Sequence, residues 1–313
     1  MPPRLSIHRF SHQAMGTFFE VLIAGEEASY AGQAAREAFV EIDRLERLFS
    51  RFDPGSDIAR VNRLRPGEEA VVGLDAFDCL SMAEEARRET GGAFDVNVRA
   101  GNRGGPPESA APLMLSGGSG RFIVSRPGRE SAFQAGLDLD LGGIGKGYAL
   151  DAALEILKAW SLDNALLNGG TSTVLALGSP PPEENTGTHH LSVLKSGQLS
   201  DVSPNLFGWP VGVGGGWPEA PGRVFLSGRA MSGSGTEVKG QHVLDPRTGR
   251  PATGHLAAWA SHPRAALADA FSTAFLVMAP AEVEYFCARH PDVWGCVVAG
   301  YGDVRVFNSG LLA

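Results

Sequence analysis

The fold of this chain depends most on the stretch Leu139-Asp140-Leu141-Gly142-Gly143-Ile144-Gly145-Lys146-Gly147-Tyr148-Ala149-Leu150-Asp151. We predict an apolar strand at 137–141, a glycine turn, and a helix from Tyr148 to about Trp160. Four glycines within six residues let the backbone bend sharply and approach a ligand closely. Amide groups in such a turn, followed by a helix N-terminus, favour an anion such as phosphate, and Lys146 adds a mobile positive charge. The alternative is a tight connection with a solvated lysine.

Two common nucleotide-binding patterns do not describe this turn. It lacks the G-x-x-x-x-G-K-[ST] sequence of a P-loop. It also lacks G-x-G-x-x-G followed, about twenty residues later, by an acidic residue. The turn therefore predicts an anion site without saying which fold family it belongs to.

Composition sets further limits. The 313 residues are 43% hydrophobic and 20% charged, which allows one large mixed domain or two smaller ones. The net charge of −8 and the absence of a basic cluster argue against nucleic acid and anionic membranes as partners. The three cysteines form no C-x-x-C pair, so we expect reduced thiols that pack in the core.

The first residues, Met1-Pro2-Pro3-Arg4-Leu5-Ser6-Ile7, contain neither an apolar signal segment nor a cleavage site. No lipid-attachment cysteine is present there, and no apolar run is long enough to cross a bilayer. We expect a cytoplasmic protein with no membrane insertion, or an exported one if a leader precedes this sequence.

Helices and runs of strands mix irregularly along the chain, which predicts an α+β fold rather than a βαβ repeat. Apolar spacing predicts further helices at 28–49, 75–90, 265–278 and 281–290. Besides 137–141 and two C-terminal strands, we predict strands at 18–24, 121–125, 165–167, 173–177, 191–194, 223–227 and 241–244. Glycine-rich and proline-rich segments predict loops near 99–120, 178–189 and 203–222.

Asp269 and Thr273 are four residues apart on a predicted helix and therefore lie on one face. A carboxylate and a hydroxyl suit a hard cation such as Mg²⁺, which completes its shell with substrate phosphates. A local hydrogen bond on an ordinary helix explains the pair equally simply.

Three other segments have both a functional and a structural interpretation. His242 ends a strand and is either a general base or a structural histidine, while the following Asp245–Gly249 segment predicts a turn. The Asn168-Gly169-Gly170 run either presents amides to a ligand or is a plain turn. Asp95 is expected to cap the end of a helix unless it contacts a ligand.

Taken together in chain order, the motifs resemble one known family over most of the chain, the ApbE-type FAD:protein FMN transferases. The residues that carry the resemblance are Met15-Gly16-Thr17, Ser50-Arg51-Phe52-Asp53 with Ser56, Asp57 and Asn62, Gly91-Gly92-Ala93-Phe94-Asp95, 140–151, Asn168-Gly169-Gly170, Ser232-Gly233-Ser234, 242–251 and Asp269-Ala270-Phe271-Ser272-Thr273. The resemblance implies a single ApbE-like α+β domain over 1–313, related to the T-fold, with mixed or antiparallel sheets and packed helices.

The resemblance also implies an activity: Mg²⁺-dependent transfer of FMN from the substrate FAD to a Thr or Ser hydroxyl of an acceptor flavoprotein, with release of AMP. Some relatives instead hydrolyse FAD to FMN and AMP. A protein that binds FAD without turnover is the third possibility, and the sequence leaves all three open.

Site residues follow from the same resemblance. Asp269, Thr273 and the backbone carbonyl of Gly145 match the metal ligands, and Asp269 is counted with His242, the proposed base, as catalytic. Met15 and Phe52 match positions at the flavin. The positions around the nucleotide are matched by Asp95, Gly142, Gly143, Lys146, Asn168, Gly169, Gly170 and Ser232.

Overall fold

The computed structural model describes residues 6–98, 113–118, 121–126, 137–180, 208–213, 220–235, 243–300 and 302–312. Most of its strands join one sheet that carries helices on one face. The strands are β1 Ile7–Ala14, β2 Thr17–Ala24, β3 Glu69–Val72, β4 Met114–Gly118, β5 Arg121–Ser125, β6 Ala165–Gly169, β7 Thr173–Leu177, β8 Trp209–Val213, β9 Gly222–Leu226, β10 Arg229–Gly235, β11 Leu244–Asp245, β12 Arg250–Pro251, β13 Ala257–His262, β14 Trp294–Gly300 and β15 Asp303–Phe307.

The large sheet has eight strands in the order β1-β2-β6-β7-β10-β13-β14-β15, and neighbouring strands are antiparallel. A three-stranded sheet, β3-β5-β4, and the hairpins β8-β9 and β11-β12 complete the ladders within the described residues. Mixed helices and antiparallel sheets in a single α+β domain confirm the predicted fold class.

Six α-helices lie in the described part of the chain. They are α1 Ala28–Phe49, α2 Asp57–Asn62, α3 Leu74–Glu89, α4 Gly145–Ala159, α5 Ala265–Val277 and α6 Pro280–Arg289. Short 3₁₀ turns occupy Leu141–Gly143 and Ser309–Leu311. None of the helices in these ranges combines the length and the apolar character needed to cross a bilayer.

Side chains of the large sheet alternate between two apolar layers, as the period of a strand requires. On β2, Phe19, Val21 and Ile23 join the core beneath the helices, whereas Leu22 and Ala24 face the opposite layer. The helical layer contains the buried faces of α1, α4 and α5. The opposite layer is built with the hairpin β8-β9. The sheet therefore separates two distinct cores.

Most of the long elements match their predictions. Helices α1, α3, α5 and α6 agree with the predicted ranges to within one residue at each end. Strands β2, β5, β7 and β9 agree as closely, and two C-terminal strands are present as β14 and β15. The cysteine prediction is also confirmed, because Cys79, Cys287 and Cys296 are free and buried.

The predicted strand at 137–141 is wrong, and the helix after it begins at Gly145 instead of Tyr148. Backbone groups of this extended segment bond to asparagine side chains and, at the Asp140 amide, to the Val96 carbonyl (2.8 Å), but to no neighbouring strand. The Leu139 amide donates to Asn62 Oδ1 (2.7 Å), and the Asp138 amide donates to Asn97 Oδ1 (2.9 Å). These contacts satisfy backbone hydrogen-bonding groups of the segment without a β-ladder, so it runs beside the core as extended chain rather than as a β-strand.

Two of the predicted loops contain strands. Met114–Gly118 in the first loop is β4, paired with β5, and Trp209–Val213 in the third is β8, paired with β9. Glycine and proline residues obscured the alternation of buried and exposed positions in these strands. In β8, Trp209, Val211 and Val213 are buried, whereas the residues between them are not. Of the second loop, 178–180 has no regular structure, and the remainder lies outside the described residues, as do most of the first loop and the predicted strand at 191–194.

Several other elements were not predicted from the sequence. Strands β1, β10 and β13 are rich in small or polar residues, which weakens the apolar alternation that marks a strand. Helix α2 and strand β3 are only six and four residues long. The predicted strand at 241–244 overlaps β11, and its first two residues lie outside the described part.

Candidate functional site

The glycine turn leads directly into α4. Asp140 accepts a hydrogen bond from the Gly142 amide (3.0 Å), and the Ile144 amide donates to the carbonyl of Leu141 (3.0 Å). Because α4 begins at Gly145, Lys146 lies in its first turn, and its Nζ donates to the Gly142 carbonyl (2.8 Å). The lysine ammonium thus lies beside the amides that were predicted to bind an anion.

Asp269 lies at the centre of the candidate site, on α5, and is only 3% exposed. Its Oδ1 accepts from the hydroxyls of Thr173 (3.2 Å) and Ser232 (3.1 Å). Its Oδ2 accepts from Lys146 Nζ (3.3 Å) and from the Gly147 amide (3.4 Å). A buried carboxylate requires such donors, because an unpaired charge in the core is costly.

Thr273 lies one turn further along α5 and faces the glycine turn. Its hydroxyl donates to the Asp269 carbonyl (3.2 Å). A Cβ placed on Gly143 would lie 3.4 Å from Thr273 Oγ1 and 3.2 Å from the Phe94 ring. The glycine turn and the Asp269–Thr273 face of α5 are therefore in direct contact.

A chain of hydroxyl groups connects the two ends of this face. Ser232 Oγ lies 3.3 Å from Ser272 Oγ, which lies 3.0 Å from Ser234 Oγ, and Ser234 Oγ lies 3.4 Å from Thr273 Oγ1. Thr173, Ser272 and Ser234 were not predicted as site residues. The available signal was the Ser232-Gly233-Ser234 spacing, because residues two apart on a strand point to the same face.

Four elements bring these groups together. Thr173 opens β7, Ser232 lies opposite it on β10, and the two hydroxyls are 3.0 Å apart. Helix α5 packs over this part of the sheet, and α4 packs beside α5. Small residues allow the close approach: a Cβ on Gly147 would lie 2.2 Å from the Ala265 carbonyl oxygen.

The Asn168 side chain does not join this group. Asn168 pairs with Glu20 and Val174 on the sheet, and its Nδ2 lies 3.5 Å from Glu20 Oε2. Val174 belongs to the layer opposite the helices, so the Asn168 side chain lies across the sheet from Asp269. Its Oδ1 is buried without a hydrogen-bond partner.

The two glycines after Asn168 differ from each other. Gly169 ends β6 on the helical side, where a Cβ would lie 3.2 Å from Leu150. Gly170 has φ +76°, and a Cβ there would lie 2.6 Å from Thr17 Oγ1. Only glycine suits Gly170, which turns the chain from β6 to β7.

Met15 and Phe52 lie on turns, with Met15 partly buried against the helical core and Phe52 exposed. Met15 has a positive φ of 50° in the two-residue turn between β1 and β2, and its amide donates to Glu46 (2.7 Å). Phe52 is 81% exposed, with the Arg51 guanidinium 4.8 Å from its ring centroid. Arg51 also pairs with Asp138 (3.0 Å), which ties this turn to the segment before the glycine turn.

Asp95 lies in a recess between α3 and the segment before the glycine turn. It accepts from the Asn97 amide (2.7 Å), and burial raises its pKa, with the charge of Arg87 opposing that shift. The recess is lined by Leu80, Ala83, Glu84, Arg87, Val96, Asn97, Leu113, Leu115 and Leu139. Asp95 makes a local turn at the end of this helix and also faces a small cavity.

His242 lies outside the described residues, so its position is not defined. The turn that follows it is as predicted. The Gly249 amide donates to the Asp245 carbonyl (2.8 Å), Gly249 has φ +69°, and Asp245 pairs with Arg250 in the β11-β12 hairpin.

In the described part of the chain, the donor set near α5 is compatible with a Mg²⁺ ion that also takes ligands from outside the protein. Within the described ranges, no three His, Cys, Asp or Glu side chains converge on a metal position. Asp269 supplies one carboxylate and Thr273 one hydroxyl. Oxygen ligands of this kind, few in number, are typical of Mg²⁺ sites that a substrate phosphate completes.

A glycine turn at a helix N-terminus, facing a helix with one buried carboxylate, is typical of proteins that bind a phosphate-bearing ligand. The sequence profile of the ApbE family matches residues 15–297, and the chain belongs to this family. It is an enzyme of the transferase class, as are the curated relatives that it matches.

These relatives are distant in sequence, but the matches cover most of each chain. The FAD:protein FMN transferase of Treponema pallidum is 26% identical over 297 residues, which covers 84% of this chain and 76% of the relative. The apo flavinyl transferase ApbE of Pseudomonas stutzeri superposes with a TM-score of 0.74 at 20% identity, covering 99% and 98% of the two chains. The ApbE protein of Thermotoga maritima gives a TM-score of 0.72 at 22% identity over 97% and 98%. The fold is thus shared over the whole chain.

Proposed function

We propose that this protein transfers FMN from FAD to a Thr or Ser hydroxyl of an acceptor flavoprotein and releases AMP. The observation that carries the proposal is the contact between the glycine turn and the Asp269–Thr273 face of α5 in a chain of the ApbE family. Curated relatives named FAD:protein FMN transferase support the same activity.

In this proposal the FAD diphosphate lies against 142–147, and the flavin ring lies near Phe52 and Met15. Lys146 supports this orientation because its ammonium group already lies at the glycine turn, 2.8 Å from the Gly142 carbonyl. The contact between Lys146 Nζ and Asp269 is long, at 3.3 Å. The flexible lysine side chain can therefore leave Asp269 and pair with a phosphate oxygen instead.

We assign Asp269, Thr273 and the Gly145 carbonyl as the residues that hold Mg²⁺. When bound, the cation neutralises charge on the diphosphate during attack. The protein's own part is to fix the Asp269 carboxylate, whose Oδ1 is held by Thr173 and Ser232. Charge stabilisation and positioning supply most of the rate in phosphoryl transfer reactions.

The proposed transfer step is a displacement at phosphorus. The acceptor oxygen forms a bond to the FMN phosphorus, the bond to the bridging oxygen breaks, and AMP leaves with that oxygen. We assign His242 as the base that takes the hydroxyl proton, because a neutral imidazole is a common general base in enzymes. His242→Ala should slow transfer about a hundredfold with little change in FAD affinity. Loss of stability with normal turnover per folded molecule would instead make His242 structural.

One incubation tests the activity. Pure protein is mixed with FAD and Mg²⁺, with and without a peptide that bears an acceptor Thr, and the products are separated by mass. A flavin–peptide adduct together with AMP supports the transferase. AMP in both mixtures without adduct would make the protein an FAD pyrophosphatase, and bound but intact FAD would make it a flavin-binding protein.

A further inference from the structure

Helix α5, which carries Asp269 and Thr273, has no N-terminal cap of its own. The residue at its N-cap position is Arg264, and no side chain from that position bonds to the helix. The carboxylate of Asp151, from the neighbouring helix α4, replaces it. Oδ1 accepts from the Ala265 amide (2.7 Å) and Oδ2 from the Ala266 amide (3.0 Å). A cap contributed by another helix also connects the two helices.

A second contact between α4 and α5 involves the same first turn of α5, because a Cβ on Gly147 would lie 2.2 Å from the Ala265 carbonyl oxygen. Gly147 precedes Asp151 by four residues, and its amide lies 3.4 Å from Asp269 Oδ2, four residues after Ala265. The Asp151 cap and the Gly147 contacts therefore both act on the start of α5, between Ala265 and Asp269. A rigid turn transmits the position of the cap to the site.

We propose that Asp151 is a positioning residue that fixes Asp269 and Thr273 relative to the glycine turn 142–147. This inference rests on the proposed function, because it assigns Asp151 to the same metal and diphosphate site. Asp151 acts through the first turn of α5, where it holds both amides. If that turn moved, the Asp269 carboxylate would move with it, away from Lys146 and the start of α4.

The chemistry at Asp151 is more than a helix cap needs. A serine or asparagine caps a helix with little desolvation, whereas burying a carboxylate is costly. Burial raises the pKa of Asp151 to about 6, while the Ala266 and Ala265 amides and the charge of Arg264 oppose the shift and Glu155 adds to it. In return, the carboxylate binds two successive amides at once. Two-point attachment defines both the position and the direction of α5.

The test measures metal affinity rather than turnover. Mg²⁺ is titrated into protein saturated with FAD, without acceptor, and the flavin absorbance reports binding. FAD affinity in the presence of a chelator and the urea midpoint are measured alongside. The variants are Asp151→Asn, which keeps one acceptor oxygen, and Asp151→Glu, which keeps both but displaces them. Glu27→Gln is the control, because Glu27 caps α1 through the Ser29 amide far from the site.

We expect both Asp151 variants to bind Mg²⁺ about tenfold more weakly or worse, the range seen when a partner of a metal ligand is removed. FAD affinity without Mg²⁺ should change little, and Glu27→Gln should leave both affinities unchanged. Lower urea midpoints with unchanged Mg²⁺ affinity would reduce Asp151 to a structural cap and overturn the inference. If Asp151→Asn does not fold, Asp151→Glu decides. Wild-type protein that binds neither FAD nor Mg²⁺ would overturn the proposed function and this inference with it.

Discussion

At the scale of single residues, the buried Asp269 carboxylate organises the site. Two hydroxyls, one ammonium and one amide donate to it. The Thr173 and Ser232 hydroxyls are also 3.0 Å apart, so they can bond to each other if the carboxylate is removed. Lys146 is partly exposed and can reach solvent. The fold should therefore tolerate the loss of this carboxylate better than the activity does.

Asp269→Ala tests this difference. We expect Mg²⁺-dependent AMP release from FAD to disappear, while the urea midpoint falls by an amount that corresponds to about 1–3 kcal/mol for lost buried hydrogen bonds. Asp303→Ala is the control, since Asp303 pairs with Arg305 on the exposed edge strand β15. Full Mg²⁺-dependent turnover in Asp269→Ala would refute the metal assignment.

Asp151 makes folding stability depend on pH in the direction opposite to a salt-bridged carboxylate. Its folded pKa of about 6 lies above its ordinary value, mainly because it is buried, with Glu155 raising it further and Arg264 lowering it. Between roughly pH 4 and pH 6 the folded state holds more protons at this site than the unfolded state does. This contribution to stability is present below about pH 4 and is lost as the pH rises through 6.

The corresponding experiment compares the unfolding free energy of wild type and Asp151→Asn at about pH 5 and pH 7. A shift of two pKa units corresponds to about 3 kcal/mol in total, of which about half falls between these two values. We expect the wild type to gain more stability than the variant when the pH is lowered. Equal pH dependence in the two proteins would show that Asp151 titrates near its ordinary value.

At the scale of elements, the contact between α4 and α5 depends on Gly147. A Cβ there would lie 2.2 Å from the Ala265 carbonyl oxygen and 2.6 Å from the Ala266 amide nitrogen. Both are backbone atoms, so neither can move without moving α5. The glycine therefore serves close helix packing as well as the turn, a role that the sequence pattern alone did not indicate.

Gly147→Ala should destabilise the protein by about 2 kcal/mol or more, because overpacking of this kind forces a backbone shift. The urea midpoint measures the effect. Gly310→Ala is a matched control, since a Cβ at Gly310 meets nothing within 4 Å. If the two variants are equally stable, α5 can move away from α4 without cost.

The amphipathic helices and the strongly apolar strands could be predicted because their periodicity is visible locally. The segment 137–141 could not, since its partners are Asn62 and Asn97, which are distant in sequence. Strands β10 and β13 consist largely of small residues, whose burial is decided by packing beneath α5 rather than by their own hydrophobicity.

The same limit applies to the site. The i, i+4 spacing correctly brought Asp269 and Thr273 to one face, and the glycines correctly marked the turn that meets them. Thr173 and Ser232 are far apart in the sequence, and only the β7-β10 register places them opposite each other. The position of the Asn168 side chain also depends on the sheet, since strand alternation directs it to the face opposite the helices.

At the scale of the whole molecule, the large sheet separates two cores of unequal support. The side that holds the site is covered by α1, α4 and α5, whereas β8-β9 contributes a two-stranded hairpin to the other. Two-stranded hairpins are marginally stable unless they are packed, and units with few buried contacts open at lower free energy than the rest of a fold. The buried thiols report on each side separately, because Cys79 and Cys287 belong to the helical core and Cys296 to the hairpin side.

We expect Cys296 to react first with an aromatic disulfide reagent as urea is raised. In the native state burial raises the pKa of the Cys287 and Cys296 thiols to about 12, so little thiolate is present at neutral pH. Opening of the hairpin should release one thiol of the three before the main transition and leave far-UV helical signal intact. Cys296→Ala should remove this early phase, and Cys79→Ala should retain it. Simultaneous reaction of all three thiols would mean that the two cores unfold as one cooperative unit, because they share every strand of the sheet.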